Sequence, residues 1–215
     1  MDRPFTLSEG VDSWNTIIFL YRSALKEVST KVEILNDEFQ HRHKYNPIEH
    51  VKSRIKTPES IVKKLKRHGY ESSIENMVRY VNDIAGIRIS CSFTSDIYLI
   101  ADMISKQNDL TILARRDYMK NPKKSGYRSY HMLVTTPVFL SDSIIDTKVE
   151  IQIRTVAQDF WATLEHKMHY KFEGDGPDYI TKELRECARY VAELDTRMEE
   201  LNNEIQKYGK LSDKK

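Results

Sequence analysis

The sequence predicts an α/β (α+β) chain: a mixed four- to five-stranded sheet flanked by helices, with long N- and C-terminal helices. Three observations carry this. Apolar residues recur at steps of three and four near both ends of the chain. Between about residues 86 and 155 the apolar period falls to two, as in strands. A helical stretch separates the first of those strands from the rest, so the sheet is not a plain run of hairpins.

The first element is a helix over about 12–40. Trp14, Ile18, Tyr21, Leu25, Val28, Val32, Leu35 and Phe39 share one face of a rod about 40 Å long at 1.5 Å per residue. Such a helix either packs along its own domain or reaches past it to a partner subunit. Asn46-Pro47 reads as an N-cap followed by proline at the first helical position, and Thr57-Pro58 repeats the device. Two short helices are therefore expected, over 47–55 and 58–68, the second stopped by Gly69. On the second, Lys56, Ser60, Lys64 and Arg67 share a face opposite Ile61, Val62 and Leu65. Ser72 with Glu75 forms a capping box for another short helix.

Strands follow at 86–93, 110–116, 130–139 and 148–155, with a helix near 95–107 after the first. The segment 117–129 is a basic loop carrying Gly126. Helices over 156–172 and 178–207 close the chain, broken by Glu173-Gly174-Asp175-Gly176-Pro177. Leu184, Ala188, Val191, Leu194, Met198, Leu201 and Ile205 give the last helix a heptad-like stripe.

Composition narrows the class. Hydrophobic residues at 40%, charged residues at 31%, 7 Gly and 6 Pro exclude collagen-like, low-complexity and largely disordered chains. Two cysteines, Cys91 and Cys187, exclude a disulfide framework and suggest thiols buried as small hydrophobes in a reducing compartment. No apolar run approaches the roughly 20 residues of a membrane helix, and the start lacks the pattern of a signal peptide. A cytoplasmic location without a membrane partner is expected.

The net charge of +2 conceals a division. Residues 52–67 hold seven Lys/Arg against one acid, and residues 115–128 hold six against one. Residues 173–204 hold ten acids and four bases. Two basic stretches in a nearly neutral chain are read either as solvated surface or as a site for a polyanion such as phosphate. On strand 148–155, Val149, Ile151 and Ile153 point one way and Glu150, Gln152 and Arg154 the other. That polar face is either the wet side of an antiparallel edge strand or part of a site. Asp83, just before a strand, caps a turn or, with Glu150, holds Mg²⁺ if the two strands are neighbours. Around Lys123-Lys124-Ser125-Gly126-Tyr127-Arg128-Ser129-Tyr130-His131, cations and aromatics stand together. Tyrosine can stack on a base and arginine can clamp phosphate. Together these features favour a nucleotide polyphosphate as ligand. No GxxxxGK[ST] or GxGxxG is present, so side chains would hold the phosphates. His41, His43 and His50 cluster near a helix end without the spacing of a zinc motif. His166 and His169, one turn apart, read as packing or hydrogen-bonding residues. The same basic segments, with Tyr127 and Tyr130 as platforms, are also compatible with a single-stranded RNA-binding module, and a silent nucleotide sensor is a third reading.

Four blocks carry a resemblance. NPIEHVKSRIKTPESIVKKL (46–65), DIAGIRISC (83–91), RDYMKNPKKSGYRSYH (116–131) and EIQIRTVAQDFWATLEHKMHYK (150–171) resemble the RelA/SpoT-homologue synthetases, and among them the single-domain small alarmone synthetases, most nearly the RelP type. The resemblance implies a nucleotidyltransferase-like synthetase fold and a GTP/GDP 3′-pyrophosphokinase. Such an enzyme moves the β,γ-pyrophosphate of ATP to the ribose 3′-hydroxyl of GDP or GTP, giving AMP and ppGpp or pppGpp. It implies Arg54 and Arg88 on either side of adenine, and Lys56, Ser60, Lys64 and Arg67 on the ATP phosphates. Asp83 would hold Mg²⁺. Glu150 would stand beside the attacking hydroxyl as base or second metal contact. Tyr127 would stack on guanine, Arg116, Lys123 and His131 would face the acceptor phosphates, and Gln152 would position the acceptor. Asp159 falls on the guanine side, where other members carry Asn. No His-Asp dipeptide occurs, so the resemblance implies synthesis without hydrolysis. It further implies three parts: an oligomerising N-terminal helix (1–45), a catalytic domain (46–172), and an oligomerising C-terminal helix with a polar tail (173–215). A homotetramer is the implied assembly, with regulatory binding of nucleotide or RNA left open.

Overall fold

The computed structural model describes residues 14–43, 45–171 and 177–212. Their elements run α1 (Trp14–Arg42), β1 (Ile48–Ile55), α2 (Pro58–Arg67), α3 (Ile74–Tyr80), β2 (Ala85–Cys91), α4 (Thr94–Ser105), β3 (Thr111–Asp117), β4 (Tyr130–Phe139), β5 (Ile144–Thr155), α5 (Val156–Lys171) and α6 (Asp178–Ser212). The first residues of the expected opening helix, the side chain of His169 and most of the break at 173–177 lie outside the described residues. Among the described residues no helix is long and apolar enough to cross a membrane.

The five strands form one sheet in the order β1-β2-β5-β4-β3. β2 and β5 run parallel, and every other neighbouring pair is antiparallel. The sheet is thus mixed, as expected. β5 is its middle strand, which removes the edge-strand reading. It also begins earlier than expected, at Ile144, because a tight turn closed by Leu140 N donating to Ser143 O (2.8 Å) leads straight back from β4. Val149, Ile151 and Ile153 are fully buried on one face of β5. They meet Ile87 and Ile89 of β2 and Met132 and Val134 of β4 in the main core. α1 and α4 pack against the sheet in that core. The α1 stripe is consumed there: Tyr21, Leu25, Val28, Val32 and Leu35 are buried within their own chain.

Four expectations are corrected. The helix expected at 47–55 is strand β1. Asn46 does not cap a helix; its Oδ1 accepts from Ile48 N (3.0 Å), a turn that turns the chain into an extended strand. As an edge strand β1 is mostly exposed, so it lacks the apolar alternation that would have betrayed it, and its partner β2 is remote in sequence. The cap of α3 is Ser73, whose Oγ accepts from Asn76 N (3.1 Å), in place of Ser72. Cys91 is buried as expected, but Cys187 is exposed. Tyr130 packs edge-on to Tyr98 against the core, which takes away the second stacking platform of the RNA-binding reading. The Thr57-Pro58 device holds: Thr57 Oγ1 accepts from Ser60 N (3.3 Å), with Pro58 in the first turn.

α6 is fixed at three places, one of them Glu199, whose carboxylate accepts from Ser95 N of α4 (3.2 Å). Trp161 Nε1 of α5 donates to Leu184 O (3.0 Å). Farther along, Asp195 Oδ2 accepts from Thr155 Oγ1 (2.8 Å) and Gln158 Nε2 (2.7 Å), where β5 passes into α5. Along the same stretch Leu194, Met198, Leu201 and Ile205 are each about half exposed or more.

Burial pushes the Asp195 carboxyl above its usual range, against the lowering by its two donors. The native state therefore holds the proton more tightly than the unfolded chain, and stability rises as pH falls through the raised native value. Asp195→Asn is expected to remove this dependence and to cost less than about 1 kcal/mol at neutral pH, since an amide oxygen can accept both bonds. Asp195→Ala strands two buried donors and is expected to cost about 1–3 kcal/mol. Urea unfolding of the three proteins between pH 4 and 8, roughly the span between carboxylate and neutral titration, measures both effects.

Candidate active site

The register of the sheet assembles the site. Lys52 pairs with Arg88, Arg88 with Gln152, Gln152 with His131 and His131 with Arg116. One row across all five strands thus carries five polar side chains on the face opposite the core, because paired residues share a face. Glu150 lies two residues along β5 from Gln152, and Arg54 two residues along β1 from Lys52, so both join the same face. β5 packs into the apolar core on one side only, and this is what its alternation recorded.

Above that face lies a cleft of about 520 Å³. Arg54, Lys64, Asp83, Arg88, Arg116, Lys123, Tyr127, His131, Glu150 and Gln152 all line it. A lobe of about 230 Å³ adjoins it beside β1 and β2, sharing Arg54, Asp83, Arg88, Glu150 and Gln152. The two acids that the sequence left apart are therefore neighbours in one cleft. Lys56 enters through its bond to Asp83. Ser60 and Arg67 are exposed on α2 and do not line the cleft. Asp159 does not line it either: it sits in the first turn of α5, with Oδ1 3.3 Å from Arg88 Nη1 and 3.7 Å from Arg154 Nη1, and Oδ2 4.0 Å from Lys52.

Asp83 receives Lys56 Nζ and Lys64 Nζ, each at 2.7 Å. Burial alone would raise its pKa, but the two lysines outweigh burial and bring it to about 2. Glu150 is also held below the usual carboxylate range. Burial pushes it up, and more than offsetting this are His131, whose Nδ1 lies 3.6 Å away, and Gln152, whose Nε2 donates at 2.8 Å. Both acids are ionised at neutral pH, although each is largely withdrawn from water. Among the described residues no group of three or more His, Cys, Asp or Glu could hold a metal, so His41, His43 and His50 form no such group.

The basic loop closes one end of the cleft. The Tyr127 hydroxyl pairs with His131 Nε2 (2.9 Å). Lys123 Nζ lies 4.7 Å from the Tyr127 ring centre and 4.9 Å from that of Tyr118. Gly126 turns the loop with φ +90°, and a Cβ there would lie 2.5 Å from Cβ of Ala188 on α6.

Sequence reasoning missed several members. Arg154 was placed on the polar face of its strand but given no role. Tyr118, His166 and Lys167 line the cleft; His166 is exposed there, so of the packing and hydrogen-bonding roles expected of it the packing one does not hold. Lys148 donates to Val78 O (3.0 Å) and Asn82 Oδ1 (3.1 Å), pinning the turn that presents Asp83. Burial lowers its pKa. The signal for Lys148 was legible, since it continues the polar face of β5 by one more step of two.

The model of the region found in RelA and SpoT proteins matches residues 53–175. The chain belongs to the RelA/SpoT family. GTP pyrophosphokinase YwaC of Bacillus subtilis is 44% identical over 199 residues, 93% of this chain and 95% of that one. The B. subtilis small alarmone synthetase 1 bound to its product pppGpp superposes with a TM-score of 0.84 at 35% identity, covering 90% of this chain and 98% of that one. Small alarmone synthetase 2 of the same organism gives 0.81 at 44% identity, covering 89% and 98%. The five-stranded sheet with its long flanking helices is thus the architecture of the family's small synthetases.

Gly126 supplies a test of how the loop is seated. Gly126→Ala meets two penalties, the left-handed φ and the approach to Ala188, and is expected to destabilise by about 1–3 kcal/mol. Ala188→Gly in the same chain should recover the steric part and leave the backbone part, which thermal unfolding of the single and double variants separates.

Proposed function

We infer that this chain is a GTP pyrophosphokinase: it transfers the β,γ-pyrophosphate of ATP to the ribose 3′-hydroxyl of GDP or GTP, yielding AMP and ppGpp or pppGpp. The observation that carries the reading is the pair of ionised acids, Asp83 and Glu150, in one cleft between two sets of cations. Phosphoryl transfer needs little covalent help from a protein. It needs in-line positioning and neutralisation of charge on the transferring group.

The donor side is Arg54 on β1, Lys56 in the turn after it, Lys64 on α2 and Arg88 on β2, with Ser60 and Arg67 towards either end of α2. An ATP tail with about four negative charges suits this set, and the two arginines suit the faces of adenine. The acceptor side is Arg116, Lys123, Tyr127, His131 and Gln152. Here Lys123 would exchange its place over Tyr127 for the acceptor's phosphates, freeing the ring for guanine. Asp159 acts on this reading by orienting Arg88, and not by touching guanine. Glu150, ionised and bonded to Gln152, is suited to accept a hydrogen bond from the 3′-hydroxyl, a role worth about 10²–10⁴-fold in such reactions.

The residues fit Mg²⁺ as cofactor. A hard cation takes one or two carboxylates and completes its shell with water and substrate phosphates, and Asp83 with Glu150 offers that donor set. When bound, the ion would offset the charge of the transferring phosphates. In this structure Lys56 and Lys64 neutralise Asp83, and ATP phosphates offer those lysines an alternative partner.

We further propose residues 46–172 as the catalytic unit, with the helices outside it serving assembly. The exposed stripe of α6, Leu194 to Ile205, supports association into a homotetramer in the cytoplasm. α1, whose stripe is spent on its own core, can contribute only from its outer side, where Phe19 and Ile34 are exposed.

Incubation of the purified protein with ATP, GDP and Mg²⁺, with nucleotides resolved by chromatography, should yield AMP and ppGpp in equal amounts; absence of AMP would sink the reading. Asp83→Asn and Glu150→Gln are each expected to lower turnover by at least about 10²-fold with circular dichroism unchanged. Tyr127→Ala should raise the acceptor KM by roughly tenfold, the scale of one lost stacking contact, with the KM for ATP little changed.

A further inference from the structure

Arg154 lies on the cleft side of the central strand, yet it is only 2% exposed. A buried guanidinium is costly, and an apolar residue would serve a purely structural strand position more cheaply. Its contacts suggest why it is there. Arg154 Nη2 donates to Gln152 Oε1 at 2.7 Å, and Gln152 Nε2 donates to Glu150 Oε2 at 2.8 Å. Arginine has only donors and an ionised carboxylate has only acceptors. An amide set between them has a single satisfied orientation, oxygen to the arginine and nitrogen to the carboxylate. Remove the arginine and the amide can turn over, which would aim an oxygen at Glu150.

The other side of the guanidinium leads back to the same carboxylate. Arg154 Cζ lies 5.4 Å from the centre of the Tyr127 ring. The Tyr127 hydroxyl pairs with His131 Nε2, and His131 Nδ1 faces Glu150 Oε1. Five side chains thus close a ring that joins the acceptor loop to the reacting carboxylate. Asp159, shared with Arg88, balances the charge of Arg154 from outside the ring.

We propose that Arg154 is a positioning residue for pyrophosphate transfer: the donor-only end of a hydrogen-bonded chain that orients Glu150 through Gln152 and seats Tyr127 for the acceptor. The proposal rests on the pyrophosphokinase reading above. Arg154 borders the cleft, and the part assigned to it is to orient Glu150 and Tyr127, not to act on a reacting group.

The test compares wild type, Arg154→Ala and Arg154→Lys, each with and without millimolar guanidinium chloride. Arg154→Ala is expected to lose on the order of 10²-fold in kcat, the scale of a misplaced catalytic group, while the KM for ATP stays near wild type. Guanidinium should restore part of that kcat in the alanine variant and none in the wild type. Arg154→Lys should fall between the two, because an ammonium keeps the charge but not the planar fork. A kcat near wild type in Arg154→Ala, or a loss that guanidinium leaves untouched, overturns the proposal. Should the alanine variant fail to fold, the lysine variant decides: turnover equal to wild type overturns the proposal. A second readout does not depend on turnover. If the slot between Gln152 and Asp159 is preassembled, guanidinium should raise the Tm of Arg154→Ala while lowering that of wild type. No rise overturns the proposal even if the wild type makes no AMP, an outcome that by itself would overturn only the reaction assigned to the cleft.

Discussion

The position of β5 is the constraint on which the structure depends. A central strand is usually apolar on both faces, because helices cover both. Here one face carries Val149, Ile151 and Ile153 into the core and the other carries Lys148, Glu150, Gln152 and Arg154. Those four polar side chains cannot be left unpaired beneath a cleft without a cost of several kcal/mol. Each is accordingly tied: Lys148 to the turn before β2, Glu150 to Gln152, Gln152 to Arg154, and Arg154 to Asp159. The same bonds that make the strand tolerable fix the directions in which its chemistry points.

Charge balance in the cleft follows from this. Burial works against both acids, and both remain ionised because cations or donors stand within bonding reach. Asp83 is neutralised twice over, by Lys56 and Lys64. Such a pairing stores the site in a form that an incoming polyphosphate can exchange into. On the reading proposed above, the lysines would have a stronger anion to turn to, and the freed carboxylate a cation to receive. Lys123 stands in a comparable position over two tyrosine rings, a cation–π contact worth about 0.5–2 kcal/mol, which a phosphate would readily outbid.

What the sequence made legible follows from how local each signal is. The α2 face was readable because a helix repeats every 3.6 residues and Thr57-Pro58 marks its start. The polar face of β5 was readable by its period of two. β1 was not, since only Ile48, Val51 and Ile55 of this edge strand turn to the core, too irregularly spaced to read as alternation, and its hydrogen bonds go to a strand 30 to 43 residues away. The row Lys52–Arg88–Gln152–His131–Arg116 lay beyond reach for the same reason: it is a property of register, and register is set by pairing between segments that no local window contains. Asp159 was assigned by position along the chain, and a helical first turn aimed it at two arginines and not into the cleft. The family resemblance implied roles for residues, but the partner of each, and the contacts on which the proposal for Arg154 rests, came only from the fold.

α6 joins these threads. It reaches the end of β5 through Asp195 and the basic loop through the approach of Gly126 to Ala188. Its exposed stripe begins at Leu194, one residue from the first anchor and less than two turns from the second. A helix is stiff over such a length, so a force applied along the stripe reaches both anchors with little loss. Association through that stripe, on the reading proposed above, would therefore act on the element that seats Tyr127, and the closeness of Gly126 leaves the loop no room to absorb the movement.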